Sequence, residues 1–599
     1  MSTPVIADDF ASVDGLVPDV RRVRTRNPYG PVMIAVSIAA TLGILAYAWF
    51  LLNPNNRGDI LPWAMVIVAE TILIFHALMA MWAILAGHRD PRTFAFHETQ
   101  RTLYDPKLNE RLRLTDDPTG WPLHIDGEEV SVDVLITVYG EPIEVIRRTA
   151  EAAKAVRGAH NTWILDDGKS DAVRDLAARL RIGYIRRLTN HGAKAGNVNN
   201  ALTVAKGDFF VILDADFVPQ PDFLEETLPF MVDANVAFVQ TPQTYGNMHN
   251  IISRGAGYMQ SMFYRFIQPG RTEFNAAFCV GTNVLFRRAA VLDIGGMYTQ
   301  SKSEDVWTSL MLHERGWKSI YIPKTLAVGD APETIEAYTK QQLRWATGGF
   351  EILFTHNPFS PKRKLTLDQR FMYFVTATFY LTGIAPGILL FVPALEVFFD
   401  LHPVNLQVDV LTWFGFYAGF YLLQVLLAAL TLGTFRWEVL LLAANSFPIY
   451  LRALRNAFTG VDTKWHVTGT TKRSSAFNFI IPQVLTFVFL LGTSIVSIWR
   501  DVTLGQVNVA TFWSVVNTLA IGAFLGVGFH EARDVQGVAD LTDVDLANAV
   551  ARTEGPAPLT REAIASARRQ VELLADGAAH RGVPDTLPKR AREAAGTVH

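Results

Sequence analysis

Several stretches of the chain are apolar on every side of a helix rather than on one face. Pro31–Leu52 carries no charged residue, and 60–85 is interrupted only by Glu70 and His76. Four further stretches of this kind cover 371–399, 410–432, 477–499 and 511–529. A helix of about 20 apolar residues crosses roughly 30 Å of hydrocarbon, so the pattern predicts six membrane spans. The first is too long, and begins too far along the chain, for a signal peptide. Between the second and third spans the pattern changes. Short apolar runs at 130–138, 162–165, 182–185 and 209–213 alternate with helical spacing at 143–156, 171–180 and 193–205. That alternation predicts a mostly parallel sheet covered on both faces, with ligands outside the carboxyl ends of its strands. Segments 250–266, 334–355 and 437–458 have helical spacing but are too polar to span. They fit either the membrane interface or an ordinary amphipathic packing helix.

The basic residues set an orientation. Arg21, Arg22, Arg24 and Arg26 precede the first span, only Arg57 lies in the 53–59 loop, and 400–409 has no Lys or Arg. Arg452, Arg455, Lys464, Lys472 and Arg473 lie in the 436–473 connection, and the tail is Arg-rich. The excess of Lys and Arg on the cytoplasmic side then predicts a multi-pass protein of the cell membrane, with both termini and the long 87–365 segment cytoplasmic. The organisation expected is an N-terminal segment (1–30), two spans (31–86), a water-soluble domain (87–365), four spans with an interfacial helix (366–530) and a tail (531–599). A helix at 560–574, stopped by Gly577, carries no chemistry.

Composition narrows the chemistry. Lys and Arg number 54 against 57 Asp and Glu, a net charge of −3, which argues against nucleic-acid binding through bulk positive charge. Charged residues are 19% of 599, below the roughly 25% of soluble domains, as pooled spans require. The single Cys279 excludes an intrachain disulfide and a Cys-rich zinc site.

Polar clusters follow the apolar runs. Asp166-Asp167-Gly168 ends one strand, and a turn explains it as readily as a ligand does. Asp214-Ala215-Asp216 ends another; two carboxylates so spaced either share a divalent cation or close a turn. Lys194 stands between Gly192 and Gly196 near a helix start, where a phosphate would be welcome, although an exposed lysine fits the same spacing. Ser303-Glu304-Asp305 opens a helix. It reads either as a capping box between Ser301 and Glu304 or as the site of a general base. In Gln341-Gln342-Leu343-Arg344-Trp345, Arg344 suits a phosphate and Trp345 a sugar face, or both are structural.

The set and its order resemble the family 2 glycosyltransferases, and among them the processive membrane synthases of the cellulose synthase type. The pattern D, DxD, [ST]ED, QxxRW is carried by Asp167, Asp214–Asp216, Ser303–Asp305 and Gln341–Trp345. Val239–Gln243 is similar to the family's VQTP strand, and Thr137–Pro142 to its first nucleotide-binding loop. Phe278–Thr282 is similar to the FCGS-like acceptor motif with Val280 inserted. Trp465-His466-Val467-Thr468 is similar to the gating loop, with Lys472 displaced behind Thr470 and Thr471.

The resemblance, over about residues 30–530, implies an α/β, Rossmann-like domain of the GT-A type joined to a helical bundle of about six spans. It implies Asp305 as the base, and Mg²⁺ or Mn²⁺ held by Asp214 and Asp216. The UDP-sugar would be bound by Thr137, Tyr139, Glu141, Asp167, Lys194, Asp214, Gln341 and Arg344. Trp345, Phe278 and Cys279 would meet the acceptor, and Trp465, Val467 and Thr468 would gate. The expected product is a β-glucan made from UDP-glucose and passed across the lipid membrane, with room for an extracytoplasmic accessory subunit. A UDP-N-acetylglucosamine-using synthase is the alternative, and a transporter or receptor with a nucleotide-binding domain is the alternative of another class. The tail has no RxxxR and no DxSxxG, so no control by cyclic-di-GMP is expected.

Overall fold

Val132–Val138 is buried at all seven positions, the mark of a strand covered on both faces. This strand (β1) lies inside a seven-stranded sheet. The others are β2 (Asn161–Asp166), β3 (Gly183–Arg186), β4 (Phe209–Asp214), β5 (Val236–Gln240), β6 (Val284–Arg287) and β7 (Lys318–Tyr321). The computed structural model describes residues 30–112, 114, 117–433, 435–460, 476–505 and 508–553. The expected N-terminal segment, the gating residues Trp465, Val467 and Thr468, and the 560–574 helix lie outside the described residues.

The strand order is β3-β2-β1-β4-β6-β5-β7. The first four strands are mutually parallel, as the alternation of strand and helix predicted. β6 runs antiparallel to both β4 and β5, so the sheet is mixed while remaining mostly parallel, as expected. The chain reverses just before it, through Gly281 (φ +87°) and Asn283 (φ +56°). Alternate residues feed two cores. Val134, Ile136, Val138, Val211 and Leu213 pack with helices Ile143–Lys154 and Asp171–Leu180. Leu135, Leu165, Phe210 and Ile212 pack with helix Ala193–Ala201, which stops four residues short of the expected end. The register sets the site: Thr137 pairs with Asp214, and Val138 with Asp166, so the functional ends of β1, β2 and β4 are level. A small sheet of Val218–Pro219, Ala327–Gly329 and Thr244–Tyr245 follows the DxD turn.

Among the described residues six helices are long and apolar enough to cross a membrane: Pro31–Leu52, Ile60–Ala86, Leu381–Phe399, Val410–Leu430, Phe477–Leu504 and Val509–Arg533. The third differs from the sequence expectation of 371–399. Leu367–Thr378 is a separate helix, and the span itself is made of Leu381–Leu389 and Val392–Phe399, with Pro386 and Pro393 interrupting its hydrogen bonds. Gly383 and Gly387 leave room there for the rings of Tyr450 and Phe447, which a Cβ would meet at 2.2 and 2.8 Å. The last helix runs on to Thr553 rather than ending near 529.

The half-polar segments resolve as packing helices. Ile251–Met262 continues into a π turn at Phe263–Ile267. The 437–458 segment is two helices, Trp437–Asn445 and Phe447–Thr459, because Pro448 offers no N–H to continue the first. Together with Ile335–Thr355 these helices share one apolar core with the last two spans, through Ile252, Phe350, Leu442, Tyr450, Ile480 and Leu525. At the end of the bundle away from the sheet, loop 53–59 is clipped to loop 400–405. Asp59 N donates to His402 O and His402 N to Asp59 Oδ2, both at 2.7 Å, and Asn405 N donates to Asn56 O at 3.0 Å.

Candidate active site

A cavity of about 1040 Å³ opens at the carboxyl ends of β1, β2 and β4, under helix Ile335–Thr355. Its floor is made by loops that need glycine. Gly140 (φ +94°) turns the chain after β1, and a Cβ on Gly168 would lie 2.9 Å from Gly140 N. Tyr139 N donates to Glu141 Oε2 at 2.7 Å, turning that carboxylate back over the strand end. The two aspartates after β2 have separate tasks. Asp166 is fully buried and accepts from Lys169 N (2.9 Å), Ser170 N (2.8 Å) and Tyr184 OH (2.7 Å), so it is the turn residue. Asp167 faces the cavity, and its two oxygens accept from Arg187 Nε and Nη2, both at 2.6 Å.

Lys194 lies in the first turn of its helix and points at the DxD turn, where its ammonium pairs with Asp214 Oδ1. Thr137 Oγ1 donates to the same oxygen at 3.0 Å, and Asp214 N donates to Thr282 Oγ1 at 2.9 Å. Burial works against the Lys194 charge, but Asp214, Glu304 and Asp305 outweigh it and hold the amine above its usual range. Among the described residues Asp216 has no such counter-ion. Burial, then Asp214, Asp330 and Glu141, push its carboxyl well above the normal range. Burial raises Glu141 as well. This crowding fits a divalent cation: the donors are hard carboxylate oxygens, and a cation would relieve their repulsion. Among the described residues no group of three or more His, Cys, Asp or Glu is arranged as a complete metal cage.

On the opposite wall, the capping-box expectation is corrected. The helix starts at Glu304 with Ser303 as its cap residue and without a side-chain cap bond. The Ser301 hydroxyl instead donates to Glu351 Oε2 at 2.6 Å, because helix Ile335–Thr355 brings Glu351 within reach. Glu304 and Asp305 therefore both line the cavity. Burial and then Asp305 raise Glu304 to about 7, against the pull of Lys194 and Arg344. Burial also raises Asp305, opposed by the Val306 N–H at 2.8 Å and by the same two cations. The far end of this helix is anchored by His313, bonded to Tyr373 OH (2.6 Å) and Ser319 Oγ (2.9 Å). Burial pushes that imidazole down to about 3, so it is neutral.

Helix Ile335–Thr355 presses on the Ser303 turn where Gly348 has no side chain: a Cβ would come 2.1 Å from Ser303 Oγ. The same helix turns Gln341, Arg344 and Trp345 to the cavity, with Gln341 Oε1 buried and unpartnered. Gln342 faces the other way and accepts from Tyr450 OH at 3.0 Å.

The acceptor-motif residues are only partly brought in. Cys279 is fully buried, with its N–H donating to Ser309 Oγ at 2.8 Å, and Phe278 packs on Phe263 and under Arg271. Neither lines the cavity; Val280 and Gly281 do. Inserted Val280 donates its N–H to Gln240 Oε1 at 2.9 Å, and Gln240 Nε2 donates to the carbonyls of Thr241, Thr282 and Asn283. The VQTP-like strand is thus the clamp of this loop. A Cβ on Gly281 would lie 3.3 Å from Asp305 Oδ2 and 3.6 Å from Lys194 Nζ. Arg187 was not singled out from the sequence, and Gln240 only as a member of the VQTP-like strand. Their roles depend on contacts 20 and about 40 residues away. Asn456, Ala457 and Gly460 complete the wall just before the undescribed 461–475 segment.

This sheet, with carboxylates at the strand ends, and the attached helices define an α/β domain of the GT-A type joined to a multi-pass helical bundle. Residues 209–454 match the glycosyl transferase family group 2. The chain is similar to putative cellulose synthase 2 of Komagataeibacter xylinus, at 35% identity over 280 residues, 45% of this chain and 18% of that protein. It is similar also to the UDP-forming cellulose synthase catalytic subunit of Xanthomonas axonopodis pv. citri, at 32% identity over 288 residues, 47% of this chain and 38% of that one. Among solved structures, mannosyltransferase PcManGT from Pyrobaculum calidifontis, in complex with GDP-Man and Mn²⁺, aligns with a TM-score of 0.42 at 15% identity, covering 66% of this chain and 100% of that one. The chain spans less than two fifths of the length of these two cellulose synthase relatives. Residues 209–454 thus carry the family match, and the relatives named are cellulose synthases.

Proposed function

We propose that the protein is an inverting hexosyltransferase that polymerises a β-linked glucan from UDP-glucose at the cytoplasmic face of the cell membrane and passes the chain through its helical bundle. The observation that carries this reading is the facing of Asp305 against Lys194 and Arg344 across one cavity. Asp305 takes the proton of the acceptor hydroxyl, and its raised proton affinity suits that step. The acceptor oxygen bonds to the sugar C1 as the bond from C1 to the diphosphate oxygen breaks. The electron pair leaves with UDP, and attack from the opposite face inverts the anomeric centre. Lys194 and Arg344 meet the charge that develops on the diphosphate. Asp167, Tyr139 and Glu141 hold the nucleoside end, and Gln341 and Trp345 hold the sugar end, where a ring face stacks on indole. Asp214 and Asp216 hold Mg²⁺ or Mn²⁺, which when bound neutralises diphosphate charge.

The test is transfer from radiolabelled UDP-glucose by the purified full chain with Mg²⁺, read as β-glucanase-sensitive polymer. Polymer from UDP-N-acetylglucosamine instead would replace the donor. UDP binding without turnover of any UDP-sugar would overturn the activity.

A further inference from the structure

Arg187 follows β3 and is almost enclosed, with 9% of its side chain exposed, against 4% for Asp167. Besides its two bonds to Asp167, it donates through Nη1 to His191 O at 2.5 Å and through Nη2 to Ala193 O at 2.6 Å. One planar guanidinium therefore ties the end of β2 to the first turn of the helix that carries Lys194. The chain is shaped for it. Gly192 (φ +70°) and Ala193 (φ +45°) bend the approach to that helix. Gly196 leaves the space, since a Cβ there would stand 2.0 Å from His191 O and 2.7 Å from Arg187 Nη1. Asn190 adds a bond to the Asp167 carbonyl at 3.1 Å. The neighbouring Arg186 does something ordinary: it bonds Tyr184 OH and Asp171 and is one-third exposed.

We infer that Arg187 is a positioning residue for the donor nucleotide, holding Asp167 and the Lys194 turn as one preorganised unit through the Asp167–Arg187–His191/Ala193 fork. This rests on the reading that the cavity takes a UDP-sugar. Asp167 and Lys194 reach the cavity from two separate loops; Asn190, Lys169 and Asn197 each add one bond between these segments, whereas Arg187 makes two bonds to the Asp167 carboxylate and two to carbonyls at the Lys194 turn. Without the fork, each must be ordered when the nucleotide arrives, so the loss falls on donor binding rather than on the proton transfer at Asp305. Lysine cannot substitute, because a single ammonium cannot match the two carboxylate oxygens and two carbonyls in one plane.

The experiment measures the Kd of UDP by titration of the full chain in lipid nanodiscs, beside KM and kcat for the donor. Arg187→Lys is expected to weaken UDP and raise KM by about 10- to 100-fold, with kcat within about threefold of wild type. Arg186→Lys is expected to leave UDP binding unchanged. Combined with Asp167→Asn, Arg187→Lys should add little to the loss of Asp167→Asn alone, because both remove one interaction. A UDP Kd within twofold of wild type, a loss confined to kcat, or fully additive losses in the double variant would overturn the inference. If Arg187→Lys does not fold, Gly196→Ala carries the test: it displaces the fork without changing charge, and undiminished UDP binding in it is equally fatal. Wild-type protein that binds no UDP overturns the donor reading itself, and this inference with it.

Discussion

Glu304 and Asp305 are adjacent, acidic and half-buried in the same cavity wall, and they are separable by experiment. Asp305→Asn keeps the size of the side chain and its bond from Val306 N–H, but it takes no proton. Polymer synthesis should fall by about 10²–10⁴-fold while UDP affinity holds. Glu304→Gln should lose less, in the same paired assay of transfer rate and UDP binding. Glu304 also predicts a pH effect on stability. Its proton affinity is raised from 4.5 to about 7, so between those values the folded chain holds a proton that the unfolded chain has released. Stability then falls as pH rises through that window, and Glu304→Gln should flatten the fall. Thermal denaturation at pH 5 and pH 7.5 checks the sign. Asp216, Glu141 and Asp305 shift the same way, so a residual slope is expected in the variant. That Asp305, Lys194 and Arg344 lie round one cavity was to be expected from the sequence through the order of the motifs and the resemblance they carry. Arg187 was not, because its importance lies in what it reaches and nothing local marks that; Gln240 stood in the VQTP-like strand, but its hold on the Val280 loop could not be read there.

Elements meet here at glycines, and two of these contacts make predictions. Gly348→Ala puts a methyl 2.1 Å from Ser303 Oγ, so helix Ile335–Thr355 must withdraw from the Ser303–Asp305 turn and take Arg344 and Trp345 with it. Activity should drop by at least tenfold with the helical circular dichroism unchanged. Gly281→Ala adds left-handed strain of about 1–2 kcal/mol, and its methyl stands beside Asp305. Reduced turnover and a lowered melting temperature are both expected from it. β1 to β4 and most helices were readable from periodicity, whereas β5 entered only through its resemblance to the VQTP strand and β6 and β7 were not read. The antiparallel course of β6 was not legible, because four residues carry no direction. Nor was the break between Thr378 and Leu381: a hydropathy run does not register that Leu367–Thr378 binds the soluble domain, through Tyr373 to His313 and through Gln369 to the Asn275 carbonyl.

For the whole molecule, cation removal and topology are the direct tests. Excess chelator should stop transfer and added Mg²⁺ or Mn²⁺ should restore it, since Asp216 is crowded by Asp214, Asp330 and Glu141. A reporter near Pro118 should read cytoplasmic and one near Pro403 external. The helices long and apolar enough to span were legible because a bilayer selects its own residue types. What was hidden is how distant segments close on one another. The clip between Asp59 and His402 joins loops 343 residues apart, so the loop of the chain's first helical hairpin lacks this partner until about two thirds of the polypeptide has been made. That hairpin must wait in the bilayer until the later helices have been inserted. The order of assembly is then set by translation rather than by proximity. Two fragments divided within 87–365 and synthesised together should be able to reunite at this clip, whereas the first fragment alone should be left to the quality-control proteases.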